Sequence, residues 1–124
     1  QPGKIVDLVC VPGKGRGVMG PGTNHHIAWR VPNDKEHAEV RQLLVERGYN
    51  VTPVQNRTYF KSIYFREPSG ILYEVATDGP GFTVDEPEEM LGSRLCLPAW
   101  MEQHRDVLER VLPAFETADG ARFP

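Results

Sequence analysis

An α+β fold is predicted for this chain, from a strand, a helix and three further strands arranged as βαβββ between residues 23 and 79. Apolar and polar residues alternate in HHIAWRV, SIYFRE and GILYEVATD, as half-buried strands require. A helical apolar period separates the first of these from the others, and turn residues (Pro32, Gly48, Pro68-Ser69-Gly70) punctuate the boundaries. Flanking this module, residues 1–22 read as an N-terminal strand with a Gly/Pro-rich connection, and residues 80–124 as a C-terminal loop and helix extension. At 124 residues the chain suits one core rather than two.

The first element is a strand over residues 4–11 (KIVDLVCV), apolar and β-branched. The chain opens at Gln1 without a methionine, so this strand reads as one entered midway, in a domain excised from something larger. PGKGRGVMGPG follows as an irregular connection; it lacks the GxxxxGK[ST] spacing of a phosphate cradle and leads into no helix. In HHIAWRV, Ile27, Trp29 and Val31 alternate with His26, Ala28 and Arg30. Asn33 with Glu36 three residues on forms a capping-box signature, which opens a helix from Asp34 to Arg47 that Gly48 stops. Val40, Leu43, Leu44 and Arg47 fall on one side of it, the side expected to lie on the sheet.

Residues 50–55 (NVTPVQ) read as a short strand that Pro53 confines to an edge or a bulge. The two remaining strands flank the Pro68-Ser69-Gly70 turn. Beyond Asp78 a loop leads through the acidic DEPEE, which opens a short helix, to a peripheral C-terminal helix with a period through Met101, Arg105, Leu108 and Leu112. The strand registers agree: Ile27/Trp29/Val31, Ile63/Phe65 and Ile71/Tyr73/Val75 can all face the helix. His26, Arg30, Ser62, Tyr64, Arg66 and Glu74 then share the opposite face. A slip of one residue would bury His26 and Glu74 under the helix and expose Trp29, so the register is well specified.

An imidazole and a carboxylate converging on one face suit a divalent metal of moderate hardness. A single histidine is more often structural than ligating, and Glu74 has a bland alternative in an ion pair with Arg30 or Arg66. An unpaired carboxylate inside ILYEVA is costly, however, and needs a cation or donors. His25, pointing oppositely to His26, is read as packing against the helix or facing solvent, with a supporting or proton-transfer task beside the site as the lesser alternative. His37 and His104 are read as solvated bystanders, and Ser62, Arg66 and Tyr59 as lining or solvating the pocket. A net charge of -3 with scattered basic residues gives no footprint for nucleic acid. No apolar run reaches the ~20 residues of a membrane helix, and no signal peptide opens the chain, so a cytoplasmic location is expected. Cys10 and Cys96 lack CxxC spacing and are read as reduced, partly buried thiols rather than a disulfide or a structural zinc site.

GTNHHIAWRVP, SIYFREPSGILYEVATDGPGFTVDEP and LCLPAW together resemble the C-terminal module of hydroquinone-type ring-cleaving dioxygenases, within the vicinal-oxygen-chelate superfamily of glyoxalases, bleomycin-resistance proteins and extradiol dioxygenases. The resemblance implies a module whose mixed sheet pairs with that of a second module around a common cavity. It further implies Fe(II) or Mn(II) held by two histidines and one glutamate. Carried over, two of these ligands are His26 and Glu74; the third resembles a histidine of another module, supplied by a partner module or by a second copy in a homodimer. Tyr64 matches the tyrosine that hydrogen-bonds a substrate oxygen and is the catalytic candidate. The activity implied is opening of dihydroxylated aromatics such as hydroquinones or catechols with O2. The alternatives are a glyoxalase- or bleomycin-resistance-like lyase or binding module acting as a homodimer, and an inert structural fragment.

Overall fold

The computed structural model describes residues 5–15, 18–116 and 122–123. Four strands form one mixed sheet: β1 (Ile27–Val31), β2 (Gln55–Asn56), β3 (Lys61–Arg66) and β4 (Leu72–Thr77), in the order β1-β4-β3-β2. β1 runs parallel to β4, and β4 and β2 run antiparallel to β3. The crossover from β1 is the helix α1 (Asp34–Glu46), followed closely by a turn at Gly48 with φ 82°. A left-handed φ favours glycine because it has no Cβ to clash with the carbonyl. At the other end Asn33 caps the helix as expected, but Glu36 meets its side chain rather than its backbone N–H. Asn33 accepts from the Glu36 backbone N–H at 3.0 Å, and its side-chain amide donates to the Glu36 carboxylate at 3.2 Å.

Ile63, Val75 and Val51 make the core, with Trp29, Val31, Val40, Leu44, Tyr49 and Phe65 packed around it. The apolar face of the sheet is therefore the one the alternation predicts, with one exception: Ile71 precedes β4 and is 42% exposed. The face of α1 also departs from expectation. Leu43 is 45% exposed and Arg47 is exposed, whereas His37, Val40, Arg41 and Leu44 turn inward. The reason is polar satisfaction. The His37 ring donates to the Val75 carbonyl at 3.0 Å, and Arg41 donates to the Thr52 carbonyl at 3.1 Å, so two polar side chains serve the buried stripe. His37, at 2% exposure, is not a bystander; His104 is exposed as expected.

Two predicted strands differ. Residues 5–11 pair with nothing among the described residues, and Ile5, Leu8 and Val9 are 78%, 77% and 81% exposed. Strand propensity without a neighbouring strand to accept the ladder does not make a strand. In the 50–55 segment the ladder starts only at Gln55. Pro53 has no N–H to give, and upstream of it Thr52 pairs with Tyr64 by its own backbone and by its hydroxyl, which accepts from the Tyr64 N–H at 3.0 Å.

The C-terminal extension contains short 3-10 turns at Phe82–Val84, Glu88–Met90 and Ala99–His104 before the helix α2 (Arg105–Val111). A two-residue antiparallel pair, β5 (Phe115–Glu116) with β6 (Arg122–Phe123), follows. Met101, Arg105 and Leu108 are half-buried along the predicted period, while Leu112 is exposed. Arg105 anchors the turn to α2 through Glu102, Glu109 and the Leu95 carbonyl. These carboxylates raise its pKa further above the ordinary arginine range, and the Arg105 guanidinium in turn holds the Glu102 carboxyl below its ordinary value. No described helix is long and apolar enough to cross a membrane.

Candidate functional site

Glu74 lies at the centre of the sheet, paired in register with Ala28 of β1 on one side and Tyr64 of β3 on the other. Because side chains alternate along a strand, these three residues share the face away from α1. His26, two residues before Ala28, continues that face, and the small Ala28 leaves the imidazole room to reach inward. His26 Nε2 lies 2.7 Å from Glu74 Oε2, and the Tyr64 hydroxyl donates to the other carboxylate oxygen at 3.0 Å. Glu74 is 4% exposed, so these two neighbours satisfy a carboxylate that is otherwise out of water.

The expected rivals for Glu74 are engaged elsewhere. Arg30 pairs with Asp78 at 2.8 Å, which lowers the Asp78 pKa and raises that of Arg30, and Arg66 donates to the Gly70 carbonyl at 2.7 Å. Ser62 shares the face but is fully buried, with its hydroxyl unpartnered. Tyr59 lies elsewhere: its hydroxyl donates to Asp85 at 2.8 Å.

Two neighbours were not assigned to the site from sequence. His25 does not face the helix; its Nδ1 is 2.7 Å from Nδ1 of His26, with the rings edge to face. Two nitrogens at that distance share one proton. Without a cation, His26 must carry a proton on Nε2 to donate to Glu74, and its Nδ1 accepts from His25. A metal held by Nε2 would leave the proton on Nδ1, from which it would be donated to His25, so the pair suits either tautomer. Arg57, in the β2–β3 connection, places its guanidinium 5.7 Å from the Tyr64 ring centroid and 3.5 Å from the Tyr64 oxygen. The only sequence signal for Arg57 is a cation beside a hairpin turn, which is common on surfaces. His25 also lines a cavity of about 360 Å³ with Val18, Met19, Arg66, Ile71 and Leu72.

The donor set fits a divalent metal. Two ligands that share one ion at about 2.1 Å each lie roughly 3 Å apart, and the His26–Glu74 separation of 2.7 Å is within a few tenths of that. An imidazole nitrogen with a carboxylate oxygen suits iron or manganese.

Residues 2–75 match the family described as the Glyoxalase/Bleomycin resistance protein/Dioxygenase superfamily. The chain is 47% identical over 117 residues to a Bacillus subtilis protein provisionally named ring-cleaving dioxygenase MhqO, covering 94% of this chain and 37% of that protein. To the Sphingobium indicum chlorohydroquinone/hydroquinone 1,2-dioxygenase it is 34% identical over 99 residues, 79% of this chain and 30% of that one. A crystal structure of a B. subtilis protein provisionally named a dioxygenase superposes with a TM-score of 0.78 at 50% identity, over 82% of this chain and 33% of that one. The chain thus spans about a third of the length of the relatives it matches.

Proposed function

The chain belongs to the glyoxalase, bleomycin resistance protein and dioxygenase superfamily, and we propose that it is the metal-holding module of a ring-cleaving dioxygenase acting on dihydroxylated aromatics, with His26 and Glu74 as two of the metal's ligands and Tyr64 as the residue that orients substrate. The observation that supports this best is a carboxylate only 4% exposed in the middle of a sheet, within 2.7 Å of an imidazole rather than paired with either arginine of its face. The Sphingobium relative's name specifies chlorohydroquinone and hydroquinone, which supports hydroquinone-type substrates here.

When bound, Fe(II) or Mn(II) would supply the electronic link between an electron-rich aromatic diol and O2. The chain's own residues do the rest. His26 presents Nε2 while His25 holds its ring by Nδ1, which fixes its orientation. Glu74 presents one oxygen beside His26, and Tyr64 steadies the other. The Tyr64 hydroxyl can turn from Glu74 to donate to a substrate hydroxyl oxygen, and as a neutral phenol it does not compete for the cation. Arg57 adds positive charge beside that hydroxyl, where a substrate phenolate gathers negative charge. The third protein ligand comes from a second module, either a further segment of a longer protein or another copy of this chain.

Oxygen consumption with hydroquinone, by the Fe(II)-loaded protein carrying this module, tests the reading. Glu74→Gln is expected to remove it, and Tyr64→Phe to reduce kcat by at least about tenfold. Turnover that Glu74→Gln leaves intact, or isomerase activity without oxygen uptake, overturns it.

A further inference from the structure

A second group of side chains suited to a cation lies away from His26 and Glu74. Asp85, Glu86 and Cys96 each offer one ligand atom, and the three atoms lie within 4.8 Å of one another. The Glu86 side chain is 8% exposed. Its Oε2 accepts from the Gly92 N–H at 3.2 Å, but its Oε1 has no hydrogen-bond partner. The neighbouring cation is Arg94, whose Nε stands 3.6 Å from that oxygen while its Nη2 donates to the Asp85 carbonyl. A buried carboxylate left half satisfied is costly, and 3.6 Å is too long for a hydrogen bond to repair it. Tyr59 fixes Asp85 by donating to Oδ2, and among the described residues the other oxygen of that carboxylate accepts no hydrogen bond. Cys96 is half-buried.

We propose that Asp85, Glu86 and Cys96 form a second cation site, for a zinc-type divalent ion, that ties the start of the C-terminal extension to the segment ten residues on. The donor set selects the ion: a thiolate with two carboxylates suits zinc and disfavours magnesium or calcium, which take oxygen alone. Three protein donors leave a fourth position for water. Binding breaks the Cys96 S–H bond, forms a sulfur–metal bond and releases the proton to solvent, with no change of oxidation state. Arg94, with a side chain 65% exposed, can swing outward as the ion enters. The same residues line a cavity with Tyr59, Phe82 and Leu91, which gives the ion a route in. The site is independent of the one assigned to dioxygen chemistry, since no residue is shared.

Cobalt(II) titrated into the whole chain reads this directly, because thiolate coordination gives a sulfur-to-metal charge-transfer band that an imidazole and a carboxylate cannot produce. The band is expected in the wild type, displaced by zinc, retained in His26→Ala and in Cys10→Ser, and absent in Cys96→Ser. Glu86→Gln is expected to weaken cobalt by at least about tenfold. No band in the wild type, a band that survives Cys96→Ser, or a Glu86→Gln affinity equal to wild type overturns the site.

Discussion

Tyr59 shows how far one residue's position can depart from its expected use. As a tyrosine just before a strand it is a natural pocket-lining candidate, yet its hydroxyl donates to Asp85 and its ring stacks at a tilt on Phe82, 4.9 Å between centroids. Asp85, followed by burial, raises its pKa to about 12. The sign follows from linkage. A phenol whose folded pKa is raised contributes stability that is fully present below about 10, its unfolded value, and is lost as pH climbs toward 12. A spectrophotometric tyrosine titration should therefore show one phenol ionising near 12 that Asp85→Asn returns toward 10. An unchanged titration in that variant would remove Asp85 as the cause. At the same scale, His26 and Glu74 could be placed on one face from alternation alone because that depends only on register. Arg57 could not, because it lies in a connection with no period; for His25 the alternation points the wrong way, because the ladder ends at Ile27 and two residues beyond it the backbone no longer holds the strand pattern.

For whole elements, what could be read from the sequence follows what each depends on. The helix ends depend on local chemistry: Asn33 with Glu36, and Gly48 at φ 82°, were both readable. Asn33→Ala should cost about 1 kcal/mol in chemical denaturation, with Glu36→Ala costing less because Asn33 still accepts from the helix N–H. Loss of neither would mean the cap is idle. The central strands were equally legible, and Ile63, at 0% exposure, is where their agreement is deepest. Harder to read were elements that depend on a neighbour. Residues 5–11 carry strand composition without a partner, β2 is delayed past Pro53, and α1 is turned so that His37 rather than Leu43 meets the sheet. A histidine on an apolar stripe counts as polar in a sequence pattern; only the Val75 carbonyl across the interface shows why it is buried.

In the molecule as a whole, the proposed metal site draws two ligands from this chain and needs a third from elsewhere. The chain covers about a third of its relatives' length, and its N-terminal segment presents Ile5, Leu8 and Val9 to solvent. The proposed coordination by His26 and Glu74 would be completed by a ligand from a second module. The convergence of those two residues on one ion is open to direct measurement by titrating Mn(II) into the isotopically labelled chain and following paramagnetic broadening residue by residue in NMR spectra. The expected result is selective early broadening around His26, Tyr64 and Glu74 that disappears in Glu74→Gln. Broadening that spares these three residues, or that persists unchanged in the variant, would contradict the assignment.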